Sequence, residues 1–144
     1  MGTRLEALQT LARDWYLALD VHAGYEEKIR PMLALDGLEM VFPEATVYGL
    51  DGFLGWYEGV IRIFFDEAHT VQSVTVQSES GDSAVVGVVV RWEASRWQPP
   101  AAASQRIKLL AYQTWTVSFA HPEKPVITRY TVDRLEYLPG SATL

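Results

Sequence analysis

The sequence of 144 residues contains no cysteine. This excludes disulfide bonds, zinc sites with cysteine ligands and a cysteine nucleophile. Its three histidines, His22, His69 and His121, lie far apart, and none has a second ligand at the spacing of a metal motif. The sequence also lacks the G-x-S-x-G elbow, the P-loop and the G-x-G-x-x-G fingerprint. It therefore predicts no metal site and gives no support to the usual nucleophile or nucleotide sites.

Positive charge is also scarce. The formal net charge is −6, and the 12 Lys and Arg residues form no run, so we expect no binding to nucleic acid or to an anionic membrane surface. The first residues, MGTRLEALQT, have no apolar core of a signal peptide, and no apolar stretch is long enough to span a bilayer. These absences predict a soluble, cytoplasmic protein.

Apolar and aromatic residues are abundant. Hydrophobic residues make up 49% of the chain, with 5 Trp, 7 Tyr and 5 Phe, which is enough to fill the core of one domain of this length. No linker divides the sequence, so residues 1–144 are predicted to form a single domain. Pro139 and Gly140 end the last predicted strand, and residues 139–144 are predicted to be a flexible tail.

The first half of the sequence reads as helical. Thr3 and Glu6 fit a capping box, and apolar residues then recur at helical spacing, which predicts a first helix over residues 3–21. A second helix is predicted over residues 25–35, with Pro31 kinking or breaking it. A short strand follows at 38–42. A third helix is predicted over residues 49–69, with Gly55 and Gly59 leaving room for another backbone.

The second half changes to the period of two that β-strands show. A hairpin is predicted from residues 71–80 and 84–93, and two long strands are predicted at 105–119 and 126–138. Helices followed by antiparallel strands predict an α+β fold, with three helices on the concave face of a curved, mostly antiparallel sheet. Three helices do not cover such a sheet completely, so a pocket is expected between the helices and the sheet.

The element order, together with the segments LARDWYLALD and RYTVDRLEYL, resembles the nuclear transport factor two-like superfamily, and more narrowly its SnoaL-like members, the polyketide cyclases. The resemblance implies a cone-shaped α+β barrel, also called cystatin-like, with a pocket for a small apolar organic ligand. Tyr130, Asp133 and Leu135 match the spacing of the final strand of SnoaL-type cyclases, where the aspartate is a general base. This implies Asp133 as a catalytic base.

Ketosteroid isomerases of the same superfamily use a tyrosine on the first helix as a hydrogen-bond donor, and the resemblance implies this catalytic role for Tyr16. Two departures exclude the isomerase mechanism itself. Phe42 stands where those enzymes have their aspartate base, and Trp115 stands where they have a protonated aspartic acid; both carboxyl groups are needed for that chemistry.

The direction of Asp133 stays open at the level of sequence. Aspartate is depleted in strands, which favours a position in a desolvated pocket where its pKa would be raised. The alternative is an outward carboxylate beside Arg129 or Arg134. Both faces of the predicted strand are mixed, so alternation does not decide between them.

The remaining candidates are mainly aromatic. Gln113 and Trp115 share one face of the long strand and offer hydrogen-bonding groups among apolar neighbours. Core packing is the alternative role for each aromatic residue, and His69 and His121 are expected to be solvated turn residues. The predicted ligand-binding residues are Trp15, Phe42, Phe53, Trp56, Tyr57, Trp92, Gln113, Trp115 and Tyr130.

Three functions remain open. The chain could catalyse cyclisation, isomerisation or dehydration without a cofactor, since a base and a donor suffice for such chemistry. It could bind an apolar ligand without turnover. It could also be a homodimerisation module that uses its outer sheet face, for which the candidates are Trp92, Leu110, Tyr112 and Tyr130.

Overall fold

The computed structural model describes residues 3–144. Helix α1, Arg4–Asp20, begins at its N-cap Thr3, whose Oγ1 accepts a hydrogen bond from the backbone of Glu6 at 3.1 Å. This confirms the first predicted helix. Its apolar stripe is buried against the sheet and contains Leu8, Leu11, Ala12, Trp15, Tyr16, Ala18 and Leu19.

The second predicted helix is shorter and less regular than residues 25–35. A π-helical turn spans Tyr25–Ile29, and a 3₁₀ turn spans Arg30–Met32. Pro31 lies inside the second turn, where it can donate no backbone hydrogen bond. Strands β1, Glu39–Val41, and β2, Thr46–Tyr48, then form a short antiparallel pair.

The third predicted helix is α2, Gly49–Ile63. It ends six residues before His69, because strand β3, Phe64–Ser80, starts immediately after it. The prediction of helix over residues 64–69 is therefore wrong. The two adjacent phenylalanines continued the apolar stripe of α2 in sequence, but in the structure Phe64 begins the ladder with β4 by pairing with Arg96.

The sheet is completed by three long strands: β4, Ser83–Arg96, β5, Gln105–Ser118, and β6, Val126–Tyr137. The strand order is β2-β1-β6-β5-β4-β3, and only the β1–β6 pair is parallel. Alternate residues of β4 and β5 are buried, as expected when one sheet face is covered. The predicted α+β class, with three helical segments on a curved and mostly antiparallel sheet, is confirmed.

Strand β6 contains two irregularities that decide which side chains face inward. Its register with β5 shifts at Thr128 and again at Asp133, each of which is an extra residue without a partner on β5. A bulge of this kind resets the alternation of side chains. The inward residues of β6 are consequently spaced by three, two and three: Ile127, Tyr130, Val132 and Leu135.

The last residues lie beside the end of β4 and the start of β5. The backbone N–H of Ala142 donates to the carbonyl oxygen of Arg106 at 2.9 Å, and Arg96 Nη2 donates to the carbonyl oxygen of Thr143 at 2.7 Å. The flexibility of residues 139–144 stays a prediction. Within residues 3–144, no helix has both the length and the apolar character needed to cross a membrane.

Candidate functional site

A cavity of about 560 Å³ opens between α1, α2 and the concave face of the sheet. This volume suits a small organic ligand. Much of the lining is apolar and comes from both helices and four strands, including Leu19, Phe42, Trp56, Val60, Val90, Leu109, Val132 and Leu135. Phe42 and Trp56 stack with their ring centroids 3.7 Å apart and form one wall.

One end of the cavity carries a buried hydrogen-bond network. Tyr16 donates its hydroxyl hydrogen to Gln113 Oε1 at 2.8 Å, and Trp115 Nε1 donates to the same oxygen at 2.9 Å. The Tyr130 hydroxyl lies 3.1 Å from that of Tyr16. Because Tyr16 donates to Gln113, it accepts from Tyr130. Gln113 also lines the cavity, where the N–H groups of its Nε2 can meet a ligand.

Both tyrosines of this network hold their protons firmly. Burial raises the pKa of Tyr16 well above its ordinary value, and the neighbouring Tyr130 raises it further. Burial also raises the pKa of Tyr130, to about 12. Both hydroxyl groups therefore stay neutral at physiological pH and act as hydrogen-bonding groups.

A histidine–carboxylate dyad lies beside the network. Asp20 Oδ1 accepts from His69 Nδ1 at 2.5 Å, and Asp20 Oδ2 accepts from the backbone N–H of His69 at 2.9 Å. The two bonds fix the ring orientation and place its proton on Nδ1, which leaves Nε2 as a proton acceptor. His69 lines the cavity, and its ring stacks on Tyr16 with centroids 4.6 Å apart.

The dyad depends on the junction of two elements. Asp20 is the last residue of α1, where a carboxylate is disfavoured by the negative end of the helix dipole. Its two hydrogen bonds to His69 oppose that cost. His69 belongs to β3 and pairs with Trp92 of β4, so the sheet presents its side chain to the helix end.

Asp133 lies outside this site. It is exposed, is absent from the cavity lining, and accepts a hydrogen bond from Thr114 Oγ1 at 2.7 Å. The physical reason is the bulge in β6, which turns Asp133 outward between the inward residues Val132 and Leu135. The structure therefore does not bring the predicted catalytic base into the pocket.

The aromatic and amide candidates divide into two groups. Those that line the cavity are Tyr16, Phe42, Trp56, Trp92, Gln113 and Tyr130. Those that are buried behind the lining are Trp15, Phe53, Tyr57 and Trp115. In this second group Tyr57 donates its hydroxyl hydrogen to the carbonyl oxygen of Ala23 at 2.8 Å, which fastens α2 to the segment after α1.

The expected outer face also needs correction, because Trp92 and Tyr130 line the cavity instead of pointing away from the helices. Tyr112 does lie on the outer side. The Arg134 guanidinium stacks over the Tyr112 ring at 3.7 Å, and the Tyr112 hydroxyl donates to Glu136 Oε1 at 3.0 Å.

Sequence reasoning missed Asp20, Glu67 and His69. The expectation that His69 is a solvated turn residue is wrong, since only 9% of its side chain is exposed. In the structure Glu67, His69 and Val71 alternate with exposed residues at the period of a strand. Within residues 3–144, no group of three or more His, Asp and Glu side chains is arranged to hold a metal ion.

The sequence matches no known family profile and no curated protein. Solved structures do match. A hexachlorocyclohexane dehydrochlorinase, LinA-type3 from Novosphingobium barchaimii LL02, has a TM-score of 0.73 at 17% identity, covering 96% of this chain and 92% of that chain. A protein proposed to be a scytalone dehydratase from Novosphingobium aromaticivorans DSM 12444 has a TM-score of 0.72 at 16% identity, covering 98% and 89%.

A further similar structure is a nuclear transport factor 2-like superfamily protein from Salmonella enterica serovar Typhimurium. It has a TM-score of 0.72 at 10% identity and covers 96% of this chain and 91% of that chain. Likeness at these identities concerns the fold. The chain therefore has a nuclear transport factor 2-like fold, with its cavity between the helices and the sheet.

Proposed function

We propose that this protein is a cofactor-independent enzyme that transfers a proton on a small apolar carbonyl compound, with His69 as the general base. The observation that carries the proposal is the Asp20–His69 dyad at the wall of a largely apolar cavity. In such a setting a neutral imidazole can take a proton from carbon while the carboxylate stabilises the imidazolium that forms.

The hydrogen-bond network supplies the second requirement of this chemistry. Removal of a proton next to a carbonyl group moves an electron pair onto the carbonyl oxygen. The compound becomes an enolate, and this oxygen carries its negative charge. A donor must meet that oxygen, and Gln113 Nε2 is available for this role. Tyr16 and Trp115 hold the Gln113 amide in its orientation through its Oε1, so they act as positioning residues.

Two of the similar structures support the reaction class. One is named as a dehydrochlorinase and the other as a proposed dehydratase. Both names describe eliminations, in which a base can remove a proton from carbon without a redox cofactor. Our proposal for this chain shares the proton removal and leaves open whether a cyclisation, an isomerisation or a dehydration follows.

The proposal is tested by hydrogen exchange on a carbonyl probe. Acetophenone is incubated with the protein in deuterium oxide, and loss of its methyl proton signal is followed by NMR. We expect exchange above the buffer rate, and we expect His69→Gln to slow the catalysed part by about 100-fold or more. His121→Gln is the matched control, because His121 is exposed and does not line the cavity.

Circular dichroism of each variant separates lost chemistry from lost folding. Exchange that is equally fast in His69→Gln and in the unaltered protein would contradict the role of His69. Binding of acetophenone without any exchange would favour the second candidate, a non-catalytic ligand-binding pocket, which the predominantly apolar lining also suits.

Assembly and location stay predictions. We infer that homodimers form through the outer face of β5 and β6, where the side chains include Leu110 and Tyr112, and that the protein works in the cytoplasm. Sedimentation at micromolar concentration tests the dimer. A monomer there would contradict it, whereas the dimer should weaken when Leu110 is changed to Asp.

A further inference from the structure

Glu67 is a second carboxylate at the cavity, and it takes no part in the proposed proton transfer. Only 4% of its side chain is exposed. Its Oε1 accepts a hydrogen bond from Trp92 Nε1 at 3.1 Å, and its Oε2 is hydrogen-bonded to His22 Nε2. A buried carboxylate persists only when it is paired in this way.

The Glu67–His22 pair is arranged in the opposite sense to the Asp20–His69 pair. In the dyad the imidazole lines the cavity and the carboxylate lies behind it. In the second pair the Glu67 carboxylate lines the cavity, whereas His22 lies behind it with 27% of its side chain exposed. One wall of the cavity therefore presents both an imidazole and a carboxylate.

The backbone adopts uncommon conformations to hold this pair. His22 has φ 49° directly after the C-cap of α1, and Asp66 has φ 50° directly before Glu67. Left-handed residues other than glycine are uncommon, although His and Asp adopt them more readily than most. The register of β3 with β4 shifts between Phe65 and Ala68, and this bulge lets Phe64 and Glu67 both face the cavity.

The bulge is itself supported by Arg106 of β5, the second strand along the sheet from β3. Arg106 Nη1 donates to the carbonyl oxygen of Asp66 at 2.7 Å and to Ser95 Oγ at 3.0 Å. The fold therefore fixes the direction of Glu67 through a strand irregularity with its own hydrogen bonds. Bulges that aim a side chain in this way are typical of functional sites.

Glu67 retains capacity for a ligand. Each carboxylate oxygen can accept about two hydrogen bonds, and each is engaged by one protein donor. A ligand O–H or N–H group would satisfy a remaining lone pair, whereas a ligand carboxylate would meet a like charge in a poorly solvated place. The position thus discriminates between ligands by their donors.

The location of Glu67 also gives the ligand a direction. The rings of Tyr16, His69 and Trp92 follow one another along the wall, with centroids 4.6 Å and 6.1 Å apart. Gln113 lies beside Tyr16 at one end of this row, and Glu67 lies beside Trp92 at the other. Glu67 and His69 are two residues apart on one strand, about 7 Å.

We propose that Glu67 is a specificity-determining residue, which selects apolar carbonyl compounds carrying an O–H or N–H donor at the end opposite their carbonyl group. This inference rests on the proposed function, because it takes the same cavity as the ligand site and the Gln113 end as the carbonyl site. A rigid ring that bears the two groups at opposite positions fits this description.

Two probes that differ in one hydrogen-bond donor test the inference. The dissociation constants of para-hydroxyacetophenone and para-methoxyacetophenone are measured by calorimetry, with NMR shifts of His69 to show that each occupies the cavity. We expect the hydroxyl probe to bind about tenfold more tightly, as suits a hydrogen bond to a charged acceptor. In Glu67→Gln this preference should fall below about threefold.

Glu58→Gln is the matched control, since it removes the same charge from the exposed side of α2. It should keep the full preference. Glu67→Leu is a second variant, and it should likewise lose the preference for the hydroxyl probe. Thermal unfolding shows which variants are folded.

The outcomes separate the two proposals. Equal binding of both probes, with His69 shifted and acetophenone still exchanging its protons, would overturn the role of Glu67 and leave the proposed function intact. A tenfold preference that survives in Glu67→Gln and Glu67→Leu would also overturn it. If no acetophenone binds near His69 at all, both proposals fall.

Discussion

At the residue scale, the proposed chemistry depends on which nitrogen of His69 carries the proton. Asp20 fixes this by accepting from Nδ1. Asp20→Asn keeps the shape of the side chain but can turn an amide N–H towards that nitrogen, which favours the tautomer with its proton on Nε2. We expect the catalysed exchange of acetophenone to fall by about 100-fold or more, with the rate measured by NMR as described for His69.

Asp133→Asn is the natural control for that variant, because it makes the same chemical change at an exposed strand residue. We expect it to leave the exchange rate unchanged and to alter the free energy of unfolding by no more than about 0.5 kcal/mol. A loss of exchange in Asp133→Asn, with Asp20→Asn unaffected, would return the base to Asp133. Nitrogen NMR of His69 reports the tautomer directly.

Single residues also mark the limit of prediction from sequence. Gln113 was predicted as a site residue because a polar group within a regular apolar pattern is visible in sequence, whereas Tyr16 was predicted from the resemblance. The resemblance implied Asp133 as a base, but its direction stayed open in sequence, and the bulge at that residue sets it. A bulge depends on pairing with a neighbouring strand, and no local pattern of β6 encodes that pairing.

At the element scale, the helix glycines have a different role from the predicted one. Gly55 and Gly59 of α2 line the cavity, and a Cβ atom added at either would meet no atom within 4 Å. Among residues 3–144, no second backbone approaches them there. The space beside the glycines belongs to the cavity.

This arrangement predicts that stability and binding can be separated on α2. Gly59→Ala should raise the free energy of unfolding by about 0.5–1 kcal/mol, because alanine favours helix and has room here. Gly59→Leu should fold equally well but fill part of the cavity, so acetophenone should bind more weakly. Urea unfolding and calorimetry measure the two effects.

Gly81→Ala provides the contrasting control. Gly81 has φ 59° in the turn between β3 and β4, and no atom lies near its added Cβ either. The cost there is conformational, and we expect a loss of about 1 kcal/mol. Destabilisation by Gly59→Ala as large as that by Gly81→Ala would contradict the assignment of free space beside α2.

The junction of α2 and β3 shows why the position of His69 was missed. In sequence, Phe64 and Phe65 extend the helical stripe of α2, so His69 was assigned to a turn. In the structure β3 starts at Phe64 and pairs along its whole length with β4. Pairing over many residues outweighs the local helical preference of a few, and this competition is not visible from the segment alone.

At the scale of the whole molecule, the position of the cavity followed from the element order. Two longer helices and one short helical segment cannot cover a six-stranded curved sheet completely. The space left between the sheet and the helices α1 and α2 is the cavity. The chemistry of the cavity could not be predicted in the same way. It combines Asp20 at the end of α1 with His69 of β3, and these two residues are 49 positions apart in the sequence.

The buried tyrosine pair links the cavity to the stability of the entire fold. The pKa of Tyr130 is raised to about 12 by burial, against an ordinary value of 10.0. The folded protein therefore retains this proton more strongly than the unfolded chain does. This contribution to the free energy of unfolding is present in full below pH 10. As the pH rises from about 10 towards 12, the free energy of unfolding falls by roughly 2–3 kcal/mol.

We expect Tyr130→Phe to be less stable at pH 8, because Tyr16 loses a hydrogen-bond partner, but to lose less stability between pH 10 and pH 12. Urea unfolding across this range measures both effects. Tyr48→Phe is the matched control, since Tyr48 is 68% exposed, and it should follow the unaltered protein. An equal alkaline loss in Tyr130→Phe and Tyr48→Phe would contradict a firmly held proton at Tyr130. A smaller loss of unfolding free energy between pH 10 and pH 12 in Tyr130→Phe alone would mean that the Tyr130 hydroxyl ionises only when the protein unfolds.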